Sequence, residues 1–254
     1  MIRDLLERVR AGEIGIEEAQ ERIIRLLYEQ GEDFLLDLHR HRRTGFPEVI
    51  YARGKSTDQV LRIVRSFLES SGKAFVSLVN EEQERAISEA FPQARIVKAA
   101  SLMVISTSGE RPQELGSVGV LTAGTADTPY AAECALMLEE IGVRVIQAFD
   151  FGVSGLHRPF LGIRQTRETD VLIVFAGMDG ILPTMVASLT DKPVIAVPTP
   201  VGYGFGGSGE TALRAMLQSC VPGLMVLNIG NSIGAASAAV RILSSIRRRT
   251  NGQV

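Results

Sequence analysis

The chain has 254 residues, 45% of them hydrophobic and 22% charged, and a formal net charge of −2. That balance excludes a disordered chain and gives no electrostatic bias toward nucleic acid. The longest apolar run, 171-VLIVFAGM-178, is too short to span a bilayer, and the opening MIRDLLERVRAGE lacks the apolar core of a secretory signal. Two cysteines, Cys134 and Cys220, make neither a disulfide framework nor a zinc-ligand spacing. The expected setting is cytoplasmic, with no membrane or nucleic-acid partner.

In chain order, Leu5, Leu6 and Val9 give one apolar helical face, Gly12 breaks it, and Ile23, Ile24, Leu26 and Leu27 make a second. A basic segment follows, 37-DLHRHRRTGFPEVIYARGKS-56, with a short strand predicted at 49–51. Ser56 or Thr57 caps a helix whose apolar positions Val60, Leu61, Val64, Phe67 and Leu68 recur at helical spacing. A strand at 74–79, a helix at 81–91 and one long strand at 95–106 complete a small α/β domain. The polar stretch 108-SGERPQELG-116 is the best boundary, giving N-terminal helices at 1–36, a small domain at 37–115 and a larger domain at 116–250.

The larger domain repeats apolar strand and helix. Strands are predicted at 118–123, 143–149, 171–176, 193–198 and 224–229, with helices near 128–141, 157–168, 180–190, 210–220 and 232–247. Unbroken β-branched strands alternating with helices predict a doubly wound parallel sheet covered on both faces. Ligands in such sheets bind beyond the carboxyl ends of the strands. Those ends read 123-AGTADTP-129, 150-DFGVSGLHR-158, 176-AGMDGILP-183, 199-TPVGYGFGGSGE-210 and 228-NIGNSIGA-235. Asp127 reads first as a helix cap, with an acid/base or hydroxyl-binding role open beside it. His157 and Arg158 are either a solvated pair or functional, and Asp179 fits a turn equally well. Neither G-x-G-x-x-G nor G-K-[ST] follows the first strand, which disfavours a dehydrogenase or an NTPase.

Five glycines fall between Gly202 and Gly209, so that backbone there can approach a ligand closely. Cys220, expected at the end of the following helix, gains nothing from the helix dipole; by itself it reads as a core residue, as does Cys134.

The segments 124-GTADTP-129, 152-GVSGLHR-158, 176-AGMDG-180 and 193-PVIAVPT-199 resemble the PurE-like phosphoribosylaminoimidazole carboxylases. Together with 37-DLHRHRRTGFPEVIYARGK-55, 199-TPVGYG-204 and 217-LQSC-220, they are similar to the LarB family, from about Asp37 onward. The resemblance implies a flavodoxin-like three-layer catalytic domain and a homo-oligomer. It also implies carboxylation, by carbon dioxide, of the pyridinium ring of nicotinic acid adenine dinucleotide. Phosphoanhydride cleavage would then release AMP and pyridinium-3,5-biscarboxylic acid mononucleotide, the first step of nickel-pincer cofactor synthesis. Cys220 matches the family's nucleophile, and Asp127 or His157 is the candidate base. Magnesium is implied for the diphosphate, with Asp179 its candidate ligand where the family more often has glutamate. Substrate contacts would come from Gly124, Thr125, Arg158, Gly177, Met178, Gly202, Tyr203, Gly204 and Gly206, with Arg40 and Arg43 from the small domain. The turn 230-GNSIGA-235 departs from the family's D-N-G-F-G-A.

Overall fold

A computed structural model describes residues 2–27, 29–30, 35–37, 40–109 and 113–250. The chain divides into two compact units, Met1–Ile96 with Val104–Ser108, and Val97–Met103 with Gly109–Val254. Part of the basic segment (residues 38 and 39), and residues 110–112 of the polar stretch, lie outside the described residues.

The N-terminal region carries helices α1 (Ile2–Arg10) and α2 (Ile16–Leu27), a two-stranded ribbon of β1 (Glu29–Gln30) and β2 (Leu35–Leu36), and a one-turn helix α3 (Arg40–Thr44). Next come β3 (Ile50–Tyr51), α4 (Thr57–Ser71), β4 (Lys73–Ser77), α5 (Glu81–Ala90), β5 (Arg95–Ala99) and β6 (Leu102–Ser106), with sheet order β3-β4-β6-β5. Helix α4 starts where Ser56 and Gln59 form a reciprocal capping box and stops at Gly72, whose φ of +69° suits glycine. An equivalent box from Asn80 and Gln83 starts α5. The Gln83 amide also donates to the carbonyls of Ala52 (3.2 Å) and Lys55 (3.0 Å), tying the loop after β3 to α5. The expected single strand at 95–106 is two strands, because Ala100 turns the chain through left-handed backbone at φ +48°.

The second unit is built on a five-stranded sheet of β7 (Gly116–Thr122), β8 (Val143–Ala148), β9 (Val171–Ala176), β10 (Val194–Pro198) and β11 (Leu224–Val226). Every pairing is parallel and the spatial order is β8-β7-β9-β10-β11, the flavodoxin-like doubly wound arrangement. Strands β9 and β10 are buried along their whole length, which explains why they read as unbroken apolar runs. Helices α6 (Thr128–Ile141) and α10 (Ser232–Thr250) pack on one face; α7 (His157–Gln165), α8 (Ile181–Ala187) and α9 (Glu210–Leu217) pack on the other. Leu172, Val174, Leu182, Val186, Val194, Ala212 and Met216 form the core between the sheet and α8 and α9. Each large aliphatic buried there contributes about 1.5–3 kcal/mol.

Helix α9 ends at Leu217, before the expected boundary, and Pro222 bars the helix from resuming through the turn that follows. The Ser219 hydroxyl accepts from the Val221 N–H (3.2 Å) and shapes the turn that holds Cys220.

Candidate active site

Strand order reverses where β7 lies between β8 and β9, and in this architecture the ligand crevice opens at the carboxyl ends of the strands at that switch. Asp127 occupies this place. It is 3% exposed, at the junction of a short 3₁₀ turn (Thr125–Asp127) and α6. Its carboxylate does not cap α6; it receives hydrogen bonds from three loops instead. Oδ2 accepts from the Gly124 N–H (2.9 Å) on the loop after β7. Oδ1 accepts from the Gly177 N–H (3.0 Å) on the loop after β9, and from the hydroxyl of Thr199 at the end of β10. One buried carboxylate thus ties three neighbouring strand ends together.

Gly177 is obligatory in this arrangement. A Cβ there would lie 2.3 Å from the Val201 carbonyl and 2.8 Å from the Thr199 hydroxyl, too close for any side chain. Met178 follows with φ +51°, and its N–H donates to the same Val201 carbonyl at 2.6 Å. Its backbone also lies against Gly202 and Gly206, where added Cβ atoms would fall 3.4 Å and 3.3 Å from it. The loops after β9 and β10 are therefore one packed unit. Gly204, at φ +61°, has open space around it, and Tyr203 and Phe205 project into solvent. Asp179 stands exposed at the rim, where its Oδ1 accepts from the Ile181 N–H (3.3 Å).

On the β8 side, the buried Thr122 hydroxyl accepts from the Asp150 N–H (2.9 Å), fixing the turn in which Asp150 adopts φ +67°. Arg158 is held by Asp150, through its carboxylate at 2.6 Å and its carbonyl. His157 is exposed on the first turn of α7, beside the Gly155 backbone. On the far side, the N-terminal turn of α10 adjoins Tyr130 and Pro200 at Gly230, and the Ser232 hydroxyl is buried there without a hydrogen-bond partner. Burial, reinforced by Glu133 and Asp127, pushes the Tyr130 phenol above its ordinary value.

Of the residues expected at the site, Gly124, Asp127 and Gly177 are in direct contact, and Met178, Gly202 and Gly206 pack together beside them. Thr125 is exposed on the same turn as Asp127. Arg40 and Arg43 belong to the other unit; both are exposed, and Arg43 is paired with Asp37. Thr199 and Thr122 escaped the sequence reading. Their signal was a lone hydroxyl at the end of an otherwise apolar strand.

Cys220 is not among these neighbours. It is exposed, whereas Cys134 is buried in α6 with its thiol pushed strongly upward, chiefly by that burial. The turn holding Cys220 leads into β11, whose first residue, Leu224, pairs with Val194 at the amino end of β10. Within one chain the thiol lies toward the opposite end of the sheet from Asp127.

No helix among the described residues is long and apolar enough to cross a membrane, and no group of three metal-ligating side chains occurs among them. Comparison with known proteins gives two matches in chain order: residues 28–107 match the LarB/PurE-like N-terminal domain, and residues 117–254 match AIR carboxylase. An uncharacterized protein of Methanocaldococcus jannaschii is 39% identical over 92% of this chain and 93% of its own. The N5-carboxyaminoimidazole ribonucleotide mutases of Pyrococcus horikoshii and Aquifex aeolicus are 31% and 32% identical, over 56% and 50% of this chain and 77% and 76% of theirs. The AIR carboxylase match, residues 117–254, contains the strand-end crevice. The chain therefore belongs to the LarB family, in which a LarB-type N-terminal domain precedes a PurE-like AIR carboxylase domain.

Proposed function

We propose that this protein carboxylates the pyridinium ring of nicotinic acid adenine dinucleotide with carbon dioxide and hydrolyses its phosphoanhydride with one water, yielding AMP and pyridinium-3,5-biscarboxylic acid mononucleotide. The observation that carries this reading is the exposed Cys220 in a chain of LarB domain order whose other cysteine is sealed in the core.

A pyridinium ring is electron-poor and cannot attack carbon dioxide. Addition of the Cys220 thiolate to the ring carbon beside the future carboxylation position forms a C–S bond and moves an electron pair onto the ring nitrogen. The resulting dihydropyridine is an enamine, and its β-carbon attacks carbon dioxide. A base then removes the proton from that carbon. The nitrogen lone pair expels the thiolate and the ring becomes aromatic again, so no oxidant is consumed. His157, exposed at the crevice mouth, is free of the constraint on Asp127, whose two oxygens already receive three hydrogen bonds. Asp127 instead holds the backbone of the Gly124 and Gly177 loops in the conformation that meets the ligand.

Magnesium fits this site in one mode. Asp179 offers an exposed carboxylate at the rim, and magnesium commonly binds one carboxylate, with substrate phosphate oxygens and waters completing its shell. When bound, it would supply charge neutralisation on the diphosphate.

The mutase relatives support a second reading, in which the substrate is a carboxyaminoimidazole ribonucleotide. That substrate is already an enamine and needs no thiolate. Offering the protein each substrate separately distinguishes the two. Under the first reading the dinucleotide is consumed with AMP release and the ribonucleotide is untouched; the reverse pattern would establish the second.

A further inference from the structure

Helix α10 begins on the α6 side of the crevice. Gly230, just ahead of it, donates its N–H to the Pro198 carbonyl (2.8 Å), and the residue after Pro198, Thr199, is a partner of Asp127. Gly230 also faces Tyr130, one turn beyond Asp127 on α6. A Cβ on Gly230 would lie 3.3 Å from Tyr130 Cε1, the ring carbon beside the one that bears the hydroxyl. The start of α10 and the Asp127 clamp therefore share one wall.

A helix leaves its first four N–H groups without acceptors of its own. In α10 three of them are met locally. Asn231 donates to the Asn228 carbonyl (3.2 Å), Ser232 to the Gly230 carbonyl (2.9 Å) and Gly234 to Asn231 Oδ1 (2.8 Å). Among the described residues the fourth N–H, that of Ile233, finds no acceptor. Beside it the Ser232 hydroxyl is 2% exposed and also unpartnered. Buried hydroxyls are rarely left unsatisfied, and this one adjoins a free N–H at the positive end of a 19-residue helix.

The donors select the ligand. An N–H group at a helix N-terminus attracts an anion and repels a cation. None of 128-TPYAAE-133, 198-PTPVGYG-204 and 228-NIGNSIGA-235 holds a lysine or arginine to balance a doubly charged phosphate. A carboxylate carries one charge and two oxygens, which suits two adjacent donors. Gly230 and Ser232 stand where the family pattern has aspartate and glycine, so this chain loses a negative charge there and gains a hydroxyl. The nearby carboxylates are already engaged, Asp127 by its three donors and Glu133 by the N–H (2.9 Å) and hydroxyl (2.6 Å) of Ser101.

We infer that the start of α10 is a carboxylate site, in which the Ser232 hydroxyl and the Ile233 N–H donate to the two oxygens and the Tyr130 phenol stands beside them. Two groups of this chemistry reach a carboxylase crevice. One is the ring carboxylate of a nicotinic acid dinucleotide, and that source rests on the carboxylation reading above. The other is bicarbonate, the hydrated form of carbon dioxide.

The test compares the full-length wild type with Ser232→Ala and Tyr130→Phe. Calorimetry measures binding of nicotinic acid adenine dinucleotide and of its carboxamide counterpart, and carbon-13 line broadening follows bicarbonate. If the ring carboxylate is the occupant, Ser232→Ala should weaken the acid dinucleotide by at least about tenfold, the loss expected for a hydrogen bond to a charged group. The carboxamide dinucleotide should change by less than about twofold, and Tyr130→Phe should give a smaller loss in the same direction. If bicarbonate is the occupant, Ser232→Ala should abolish its broadening and leave both dinucleotides unaffected. Without ligand, Ser232→Ala should keep or raise the melting temperature, because it removes a hydroxyl that has no partner. A lower melting temperature would show that hydroxyl engaged within the fold and would overturn the site. Equal losses for both dinucleotides, or no change with any probe, would overturn it as well. If the Ser232-dependent preference for the acid appears but the wild type forms no carboxylated product, the carboxylation reading fails and the site stands. If product forms and Ser232→Ala binds every probe like the wild type, the site falls and the reading stands.

Discussion

Replacing Cys220 with alanine should lower carboxylation of nicotinic acid adenine dinucleotide by at least about 1,000-fold, because losing a covalent nucleophile removes the route itself rather than one supporting contact. The fold should not notice. Cys220 is exposed in a turn whose geometry comes from Ser219 and Pro222, so the change should alter stability by no more than about 0.5 kcal/mol. Dinucleotide affinity should survive as well, since a small thiol contributes little contact area. Measuring turnover, thermal unfolding and ligand binding on the same preparation separates the possibilities. Lost turnover with intact binding and folding agrees with a nucleophile. Retained turnover would return Cys220 to the status of an unremarkable surface residue, and retained binding with no wild-type turnover would indicate a nucleotide-binding module.

Asp127→Ala should act in the opposite way, through the scaffold. The substitution strands three donors, the N–H groups of Gly124 and Gly177 and the hydroxyl of Thr199, in a place sealed from water. A buried unsatisfied donor costs about 1–3 kcal/mol, so three cost about 3–9 kcal/mol, and water entering the space brings the loss to the lower part of that range, about 3–5 kcal/mol. For a chain of this size that lowers the melting temperature by about 10 °C. Asp127→Asn keeps the volume and one acceptor but turns an NH2 group toward one of the N–H donors, so its loss should be about a third as large. A melting temperature unchanged by Asp127→Ala would contradict the clamp. Because the Gly177 loop packs on the Gly202–Gly206 loop through Met178, crevice-side ligand affinity should fall along with stability.

Much of this was legible in the sequence wherever the determinant is local. Ser56 announces α4, and the apolar runs at 171–176 and 193–198 announce strands covered on both faces. Ala100 was not legible as the break between β5 and β6, because nothing about an alanine signals left-handed backbone. The site divides in the same way. Glycine-marked strand ends could be read directly, so Gly124, Gly177 and Gly202 were in view from the start. Asp127 was visible as well, but its partners Gly177 and Thr199 lie 50 and 72 residues away, and only the sheet order brings them to it. A cap and a three-loop clamp look alike in one dimension. Cys220 shows the limit most clearly: a helix expected over 210–220 would have ended on it, whereas α9 closes at Leu217 and hands Cys220 to a turn on the way to β11. By itself the residue reads as core; the family resemblance made it the candidate nucleophile, and the topology supplied its position.

The most direct test of the central claim is to incubate the wild-type protein with nicotinic acid adenine dinucleotide, magnesium and carbon-13 bicarbonate and to follow the products by mass spectrometry. The account predicts AMP and, in equal amount, a pyridinium mononucleotide bearing one labelled carboxylate. Unchanged dinucleotide, or AMP released beside an unlabelled mononucleotide, would contradict it.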